Sequence, residues 1–115
     1  MITIYHNPRC SKSRECLTML EGLDEEVQIV TYLDGSVDKE RLQELIKLLG
    51  IKPTELVRKG ESIWKDNYKG KTLSDDEIIK AMVKNPILIE RPIVVKDTVA
   101  LIGRPPKSIE IIINN

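Results

Sequence analysis

The sequence predicts an α/β domain with a mixed sheet, and three observations lead to this prediction. Strand-forming residues at 2–5 and 27–33 flank a stretch whose apolar residues recur at helical spacing. A strand, a helix and a strand in this order favour parallel pairing with a right-handed crossover. The middle of the chain is mostly helical, and the last third predicts a hairpin of two strands followed by a helix.

Length and composition indicate a single globular domain over residues 1–115. Hydrophobic residues make up 41% and charged residues 31% of the chain, which is long enough to bury a core without disulfides. Eighteen basic residues balance eighteen acidic ones, so nonspecific nucleic-acid binding is not expected. The apolar runs are too short to span a membrane and no secretory signal is recognised, so we expect a cytoplasmic protein.

A cysteine stands where the first predicted strand passes into the first predicted helix. The strand ends near Tyr5, a turn contains Pro8, and the helix begins directly after Cys10, with Ser11 and Ser13 as expected capping residues. The apolar stripe of this helix is formed by Cys16, Met19, Leu20 and Leu23. A helix N-terminus favours a thiolate over a thiol and also attracts oxyanions. This position can therefore hold both a nucleophile and a negatively charged substrate.

The ends of two later helices carry clear signals. Asp38 is the expected cap of a helix that Gly50 ends. Ser74 and Glu77 form a capping-box pattern that predicts a helix over residues 74–84.

Three further segments are predicted with less regular signals. Pro53 opens a short helical segment that continues to Arg58. Trp64 and Tyr68 have a spacing suited to one face of a short helix, and packing onto the domain is favoured over a base-stacking or partner role. The closing helix begins at the two prolines 105 and 106, with inward-facing Ile109, Ile112 and Ile113.

Four separated motifs resemble those of the ArsC family, the glutaredoxin-coupled arsenate reductases and their relatives. They are HNPRCSKSRE at 6–15, LVRKG at 56–60, ERPIVV at 90–95 and IGRPP at 102–106. The resemblance covers essentially the full length of the chain. It implies a thioredoxin-like fold with a helical insertion and a mixed central sheet of about four strands.

The resemblance also implies roles for individual residues. Cys10 matches the family's nucleophile, and Arg58, Arg91 and Arg104 match its three oxyanion-binding arginines. The peptide bond between Arg91 and Pro92 is expected to be cis.

Three more residues match the surroundings of the nucleophile. Ser13 and Arg14 match residues of the anion-binding loop. His6 matches a residue that helps to keep the cysteine ionised. A turn residue that hydrogen-bonds to backbone is an equal alternative for His6.

These residues suit the reduction of arsenate to arsenite. The Cys10 thiolate would attack arsenate, glutathione would thiolate the adduct, and glutaredoxin would resolve the mixed disulfide. Arginine binds an oxyanion through two parallel hydrogen bonds and stays charged at physiological pH. Glutathione is then a co-substrate, and no bound cofactor is expected.

Other functions remain open from the sequence. Cys10 and Ser13 form C-x-x-S, which lacks the second thiol typical of Spx-like redox regulators that bind a protein partner. An ArsC-like glutathione-dependent thiol oxidoreductase without arsenate activity is a further alternative. Cys16 is expected to fill the core, with a resolving role in a C-x5-C pair as the other reading. One histidine and two cysteines do not predict a zinc site.

Overall fold

A computed structural model describes residues 1–113 of the chain and contains one four-stranded sheet in that part. The strands are β1 (Ile2–Tyr5), β2 (Val27–Val30), β3 (Ile93–Lys96) and β4 (Val99–Ile102), and their order is β2-β1-β3-β4. Strand β1 pairs in parallel with β2 and antiparallel with β3, and β3 pairs antiparallel with β4. The predicted mixed sheet of four strands is confirmed.

Helices connect the strands in the predicted order. They are α1 (Ser11–Glu21), α2 (Lys39–Leu49), α3 (Pro53–Leu56), α4 (Ser62–Asn67), α5 (Asp75–Lys84) and α6 (Glu110–Ile113). Short 3-10 turns occupy Tyr32–Asp34, Pro86–Leu88 and Pro106–Ile109. Within the described residues, no helix is both long and apolar enough to cross a membrane.

The chain divides into two compact units. The first comprises Met1–Tyr32 and the chain from Arg91 onward, and it contains the sheet with α1 and α6. The second comprises Leu33–Glu90 and contains α2 to α5. A helical segment inserted between the halves of the sheet is the thioredoxin-like arrangement that the motifs implied. A single domain over 1–115 stays a prediction, and its last two residues lie outside the described part.

The core of the first unit forms where α1 and the closing helix pack on the sheet. Its fully buried residues are Ile2, Ile4, Cys16, Leu20, Val94, Ile109 and Ile112. Met19, Leu23 and Ile113 pack against this cluster while remaining partly exposed. The predicted apolar stripe of α1 and the inward face of the closing helix are thus confirmed. Burial of these side chains is the main favourable term for folding of this unit.

The helix ends of the second unit follow the predicted local signals. The Asp38 side chain accepts a hydrogen bond from the backbone N–H of Arg41, and Gly50 ends α2 with a left-handed φ of 68°. Ser74 and Glu77 form both hydrogen bonds of the capping box at the start of α5. A side chain with a Cβ would be strained at Gly50, so glycine suits this C-terminal position.

Two predicted boundaries are wrong. Strand β2 ends at Val30 instead of residue 33, because its partner β1 ends at Tyr5 and leaves the following residues without a strand to pair with. The helix that begins at Pro53 ends at Leu56, two residues before the predicted end. There Val57 forms an isolated antiparallel bridge with Ile89, which requires extended backbone.

The end of the chain contains two cis peptide bonds. The bond between Arg91 and Pro92 is cis, as the resemblance implied, and the bond between Arg104 and Pro105 is also cis, which was not predicted. The closing helix begins as a 3-10 turn at Pro106 and continues as α6.

Substitution of Gly103 should destabilise the first unit. A Cβ at this position would lie 2.6 Å from the Cys16 Sγ atom and 3.0 Å from the Pro92 Cγ atom. Gly103→Ala therefore requires buried neighbours to move, and we expect the free energy of unfolding to fall by about 1–3 kcal/mol. Urea denaturation of the variant and the wild type measures this difference.

Gly60→Ala is the matched control, because a Cβ there meets nothing within 4 Å. Adding Cys16→Ala to Gly103→Ala removes the nearest clashing atom. The double variant should therefore be more stable than the two separate losses would sum to. Equal losses for Gly60→Ala and Gly103→Ala would contradict the packing argument.

Candidate functional site

Cys10 lies at the N-terminus of α1, as predicted. It occupies the N-cap position in extended conformation and is partly exposed. Its backbone N–H donates to the Asn7 carbonyl, and its own carbonyl accepts from the backbone N–H of Arg14, both at 3.0 Å. In the described part of the chain, Cys10 makes no side-chain capping hydrogen bond. Cys10 therefore lies at the end of α1 where first-turn N–H groups can stabilise negative charge.

The expectation that Ser11 and Ser13 cap this helix is wrong. Cys10 takes the cap position, so both serines lie within the first turn. Ser13 is fully buried, and its hydroxyl oxygen accepts a hydrogen bond from the backbone N–H of Asn7 at 3.0 Å. Ser13 thus ties the loop before the helix to the helix itself.

His6 completes this buried network. Its Nδ1 atom lies 2.6 Å from the Ser13 hydroxyl, and the imidazole is 5% exposed. With the hydrogen on Nε2, Nδ1 accepts the hydroxyl hydrogen while the same oxygen accepts from Asn7. Burial lowers the pKa of His6, the positive charge of Arg14 lowers it further, and the negative charge of Glu21 opposes them. The side chain of His6 thus hydrogen-bonds to a hydroxyl. The alternative in which His6 hydrogen-bonds to backbone is wrong.

The titration of His6 should show this lowered pKa directly. The chain has a single histidine, so one imidazole signal in a proton NMR titration reports it. We expect a midpoint below the ordinary value of 6.5. With a lowered pKa in the folded state, the unfolded chain binds more protons than the folded chain in this pH range. The free energy of unfolding therefore rises with pH. The contribution of His6 is lost as pH falls from 6.5 through the lowered pKa.

A control variant separates this effect from other acid-induced losses. His6→Gln should lack the part of the pH dependence of unfolding that lies in this range. A midpoint at or above 6.5 in the folded wild type would contradict the burial argument.

The loop before α1 is held by two further hydrogen bonds. The Arg14 Nη1 atom donates to the Pro8 carbonyl at 2.9 Å, and the Asn7 Oδ1 atom accepts from the backbone N–H of Arg9 at 2.9 Å. Asn7 is buried, and its role was not predicted from the sequence. An asparagine at the start of a turn commonly accepts a hydrogen bond from the backbone N–H two residues later, so Asn7 before Pro8 was a local signal for this bond. This loop geometry fixes the position of Cys10.

One edge of the sheet carries both this loop and two of the predicted arginines. Strand β1 ends where β3 begins, with Tyr5 opposite Ile93, and β4 ends beside the same point, with Ile102 opposite Ile93. The backbone N–H of Gly103 donates to the Pro92 carbonyl at 2.8 Å. The loop from His6 to Cys10, Arg91 and Arg104 therefore all leave the sheet at the same edge.

The two arginines differ in their surroundings. The Nε and Nη1 atoms of Arg91 are buried and have no hydrogen-bond partner among the described residues. Arg104 is exposed. Buried guanidinium nitrogens without partners are costly, because each N–H donor has lost water without a replacement. Arg91 therefore has donors free to receive an anion.

Arg58 belongs to the second unit and is already paired. Its Nη1 atom contacts the Glu61 carboxylate, and its Nε atom lies 3.4 Å from the Glu90 carboxylate. Its backbone N–H donates to the Leu88 carbonyl at 2.7 Å. Neither carboxylate was predicted from the sequence as a partner of Arg58. Arg58 and Glu61 are three residues apart across a short turn, and this spacing could have indicated the first pair, whereas Glu90 is distant in sequence.

Cys16 fills the core, as expected. Its side chain is 0% exposed, and its Sγ atom donates to the Gly103 carbonyl at 3.3 Å. Burial, with smaller contributions from the negative charges of Glu15 and Cys10, raises the pKa of the Cys16 thiol to about 11. The α1 helix is continuous from Ser11 to Glu21, so Cys16 lies on the stretch that would have to unwind to reach Cys10.

The described residues contain no group of three or more His, Cys, Asp and Glu side chains that could hold a metal ion. Cys10 offers a thiol at a helix N-terminus, and Arg91, whose Nε and Nη1 atoms lack partners among the described residues, leaves the sheet at the same edge.

Comparison with known proteins identifies the family. The model of the ArsC family matches residues 5–112. The chain belongs to the ArsC family. This member is 46% identical to the protein YfgD of Escherichia coli K12, with 94% of this chain and 92% of that protein covered. It is 40% identical to an arsenate reductase of Haemophilus influenzae, with 94% and 95% covered.

A solved structure agrees with the fold of this ArsC-family chain. An arsenate reductase from Vibrio cholerae superposes with a TM-score of 0.92 and 42% sequence identity. The match covers 96% of both chains. The ArsC family and the thioredoxin-like fold that the motifs implied are therefore confirmed.

Proposed function

We propose that this protein is an arsenate reductase that uses glutathione and glutaredoxin as its source of electrons. The observation that carries the proposal is the shared sheet edge, where Cys10 lies at the start of α1 and two buried guanidinium nitrogens of Arg91 lack partners among the described residues. Family relatives that are named arsenate reductase, such as the Haemophilus influenzae protein, support the choice of substrate.

The proposed reaction begins at Cys10. Its thiolate attacks the arsenic atom of arsenate and displaces an oxygen as water. Glutathione adds to the arsenic in the same way and releases a second water. The two sulfur atoms then join as a Cys10–glutathione disulfide, and the electron pair remains on arsenic. One water adds back to the arsenic, which leaves as arsenite. Glutaredoxin transfers electrons to this disulfide and restores the Cys10 thiol.

The arginines supply the charge that the substrate requires. Arsenate is a tetrahedral dianion near neutral pH, and guanidinium groups bind such oxyanions through pairs of charge-assisted hydrogen bonds. Arg91 has donors free for this purpose, and exposed Arg104 leaves the sheet at the same edge. Arg58 is proposed as a third ligand through its match to the family motif, and binding of the anion would then compete with its pairing to Glu61 and Glu90.

His6, Ser13 and Arg14 are proposed to act by positioning. The contacts of His6 with Ser13 and of Ser13 with Asn7 hold the loop against α1. Arg14 holds the Pro8 carbonyl and adds positive charge beside the loop. A fixed loop keeps the Cys10 thiol and the first-turn N–H groups in the same relative position before and after the anion binds.

The decisive measurement is arsenite formation by the wild-type protein with glutathione and glutaredoxin. We expect arsenite and glutathione disulfide to form in equal amounts, and both to depend on arsenate. Omission of glutaredoxin should stop turnover after about one arsenite per protein chain. The proposal also implies a cytoplasmic location, since glutathione keeps thiols reduced there.

A glutathionylated peptide, used as a second substrate, distinguishes an arsenate reductase from a more general glutathione-dependent thiol reductase. A glutathionylated model peptide should be a poor substrate, and arsenate should protect Cys10 from alkylation by iodoacetamide. Rapid reduction of the peptide together with no arsenite formation would overturn the assignment of arsenate as substrate.

A further inference from the structure

We infer that a groove in the second unit binds a small organic anion that has an apolar body. The groove has a volume of about 430 Å³, which lies within the range of about 300–1,000 Å³ that is usual for small-molecule sites. Its apolar side includes Trp64, Tyr68 and Ile78, and three lysines lie around it. We call it the lysine groove, defined by Lys59, Lys69 and Lys71. None of these residues takes part in the proposed arsenate chemistry.

The apolar side of the lysine groove is preformed. The rings of Trp64 and Tyr68 stack with centroids 5.3 Å apart and planes inclined by 24°. The backbone N–H groups of Tyr68 and Lys69 both donate to the Trp64 carbonyl at 2.9 Å, which fixes the end of α4. The predicted packing of the two aromatic residues on one face is therefore confirmed. Because both also line the groove, a ligand that enters it meets an ordered aromatic surface.

A tight turn presents two of the lysines. The backbone N–H of Lys71 donates to the Tyr68 carbonyl at 3.2 Å, and Gly70 between the lysines has a left-handed φ of 82°. A residue with a side chain would be strained at this φ, so the turn requires glycine. The turn thus places Lys69 and Lys71 on the same short, ordered segment.

The charge of the lysine groove is unbalanced. Lys59, Lys69 and Lys71 are exposed, and none of them forms an ion pair with a residue in the described part of the chain. The groove is lined by one carboxylate, that of Asp75. The whole chain has a net charge of zero, so this positive excess is local. Converging positive charge in a concave surface attracts anions.

The two properties together select the ligand class. Positive charge favours a phosphate, sulfonate or carboxylate group, whereas the apolar side favours a ring or an alkyl chain attached to it. An inorganic oxyanion satisfies the lysines alone, and a neutral aromatic molecule satisfies the rings alone. We therefore expect a molecule that combines both groups to bind more tightly than either part.

The fluorescence of Trp64 provides a direct test, because it is the single tryptophan of the chain. Phenyl phosphate should change its emission with a saturable concentration dependence. Inorganic phosphate and benzyl alcohol should bind at least about tenfold more weakly, since each lacks one of the two interactions. The Arg91→Met variant should respond as the wild type does, which separates this site from the proposed arsenate site.

Charge reversal on the turn tests the lysines. Lys69→Glu combined with Lys71→Glu should weaken phenyl phosphate binding at least about tenfold while leaving benzyl alcohol binding unchanged. The matched control is Lys52→Glu combined with Lys65→Glu, which changes the net charge equally at two exposed lysines of the same unit outside the groove. Circular dichroism confirms that each variant folds.

Three results would overturn the inference. They are an unchanged Trp64 emission with phenyl phosphate, equal binding of benzyl alcohol and phenyl phosphate, and equal losses in the groove variant and its control. A response of Trp64 to an acidic, aromatic-containing peptide with none to phenyl phosphate would also overturn it in favour of a protein partner.

Discussion

Cys10→Ser should lower arsenate reduction by at least about 1,000-fold, because the hydroxyl that replaces the thiol is not ionised at neutral pH and cannot form the disulfide. The fold should be retained. Cys10 is partly exposed and occupies the N-cap position of α1, where serine is a favoured residue. Measurement of arsenite formation with glutathione and glutaredoxin, beside urea denaturation, tests both statements.

Cys16→Ala is the matched control for loss of a sulfur atom. It removes the buried thiol that donates to Gly103 and should reduce stability while leaving the turnover of arsenate largely intact. If the two variants lost turnover equally, with both folded, the proposed division between a reacting and a core-filling cysteine would be wrong.

Arg91→Met should abolish the response of the protein to oxyanions without destabilising the free protein. In the wild type without a bound anion, two guanidinium nitrogens of Arg91 are buried and lack partners. Their desolvation therefore already lowers the stability of the anion-free protein. Loss of two charge-assisted hydrogen bonds, at about 1.5–3 kcal/mol each, should lower kcat/KM for arsenate by about 100-fold or more. The melting temperature of the variant should no longer rise with added arsenate.

Lys107→Met provides the comparison, since it removes one exposed positive charge from the same unit. It should keep the arsenate-dependent rise in melting temperature. A similar rise in the Arg91→Met variant would show that Arg91 does not hold the anion.

Local signals were sufficient to predict the positions of the long helices and the ends of α2 and α5. Asp38 and Ser74 cap their helices through hydrogen bonds to residues three positions later, and Gly50 ends α2 with a conformation that few other residues adopt. Each of these interactions depends on neighbours within one helical turn. The apolar stripe of α1 was predictable for the same reason, because its spacing is that of the helix itself.

Features that depend on distant residues were not predictable in this way. The length of β2 is limited by the end of its partner β1, and the sequence of β2 itself contains no signal for that limit. Ser13 resembled a capping residue, yet it is buried against His6 and Asn7 because the preceding loop folds back on α1. The pairing of Arg58 with Glu90 likewise joins separate segments.

The candidate site was predictable as a set of residues more than as a geometry. The helix N-terminus at Cys10 followed from local sequence, and the family motifs supplied the arginines. Motifs alone could not distinguish the unpartnered Arg91 from Arg58, which is paired with two carboxylates. The catalytic roles of all these residues stay predictions.

The isolation of Cys16 has a consequence for how the protein responds to oxidative stress. Because Cys16 is buried and donates to the Gly103 carbonyl, Cys10 is the one thiol that an oxidant such as diamide can reach in the folded chain. An intramolecular disulfide between Cys10 and Cys16, which would protect Cys10 from further oxidation, cannot form while α1 is intact. Oxidised protein should accumulate as glutathione adducts or as covalent pairs of chains, and recovery would rely entirely on thiols supplied from outside.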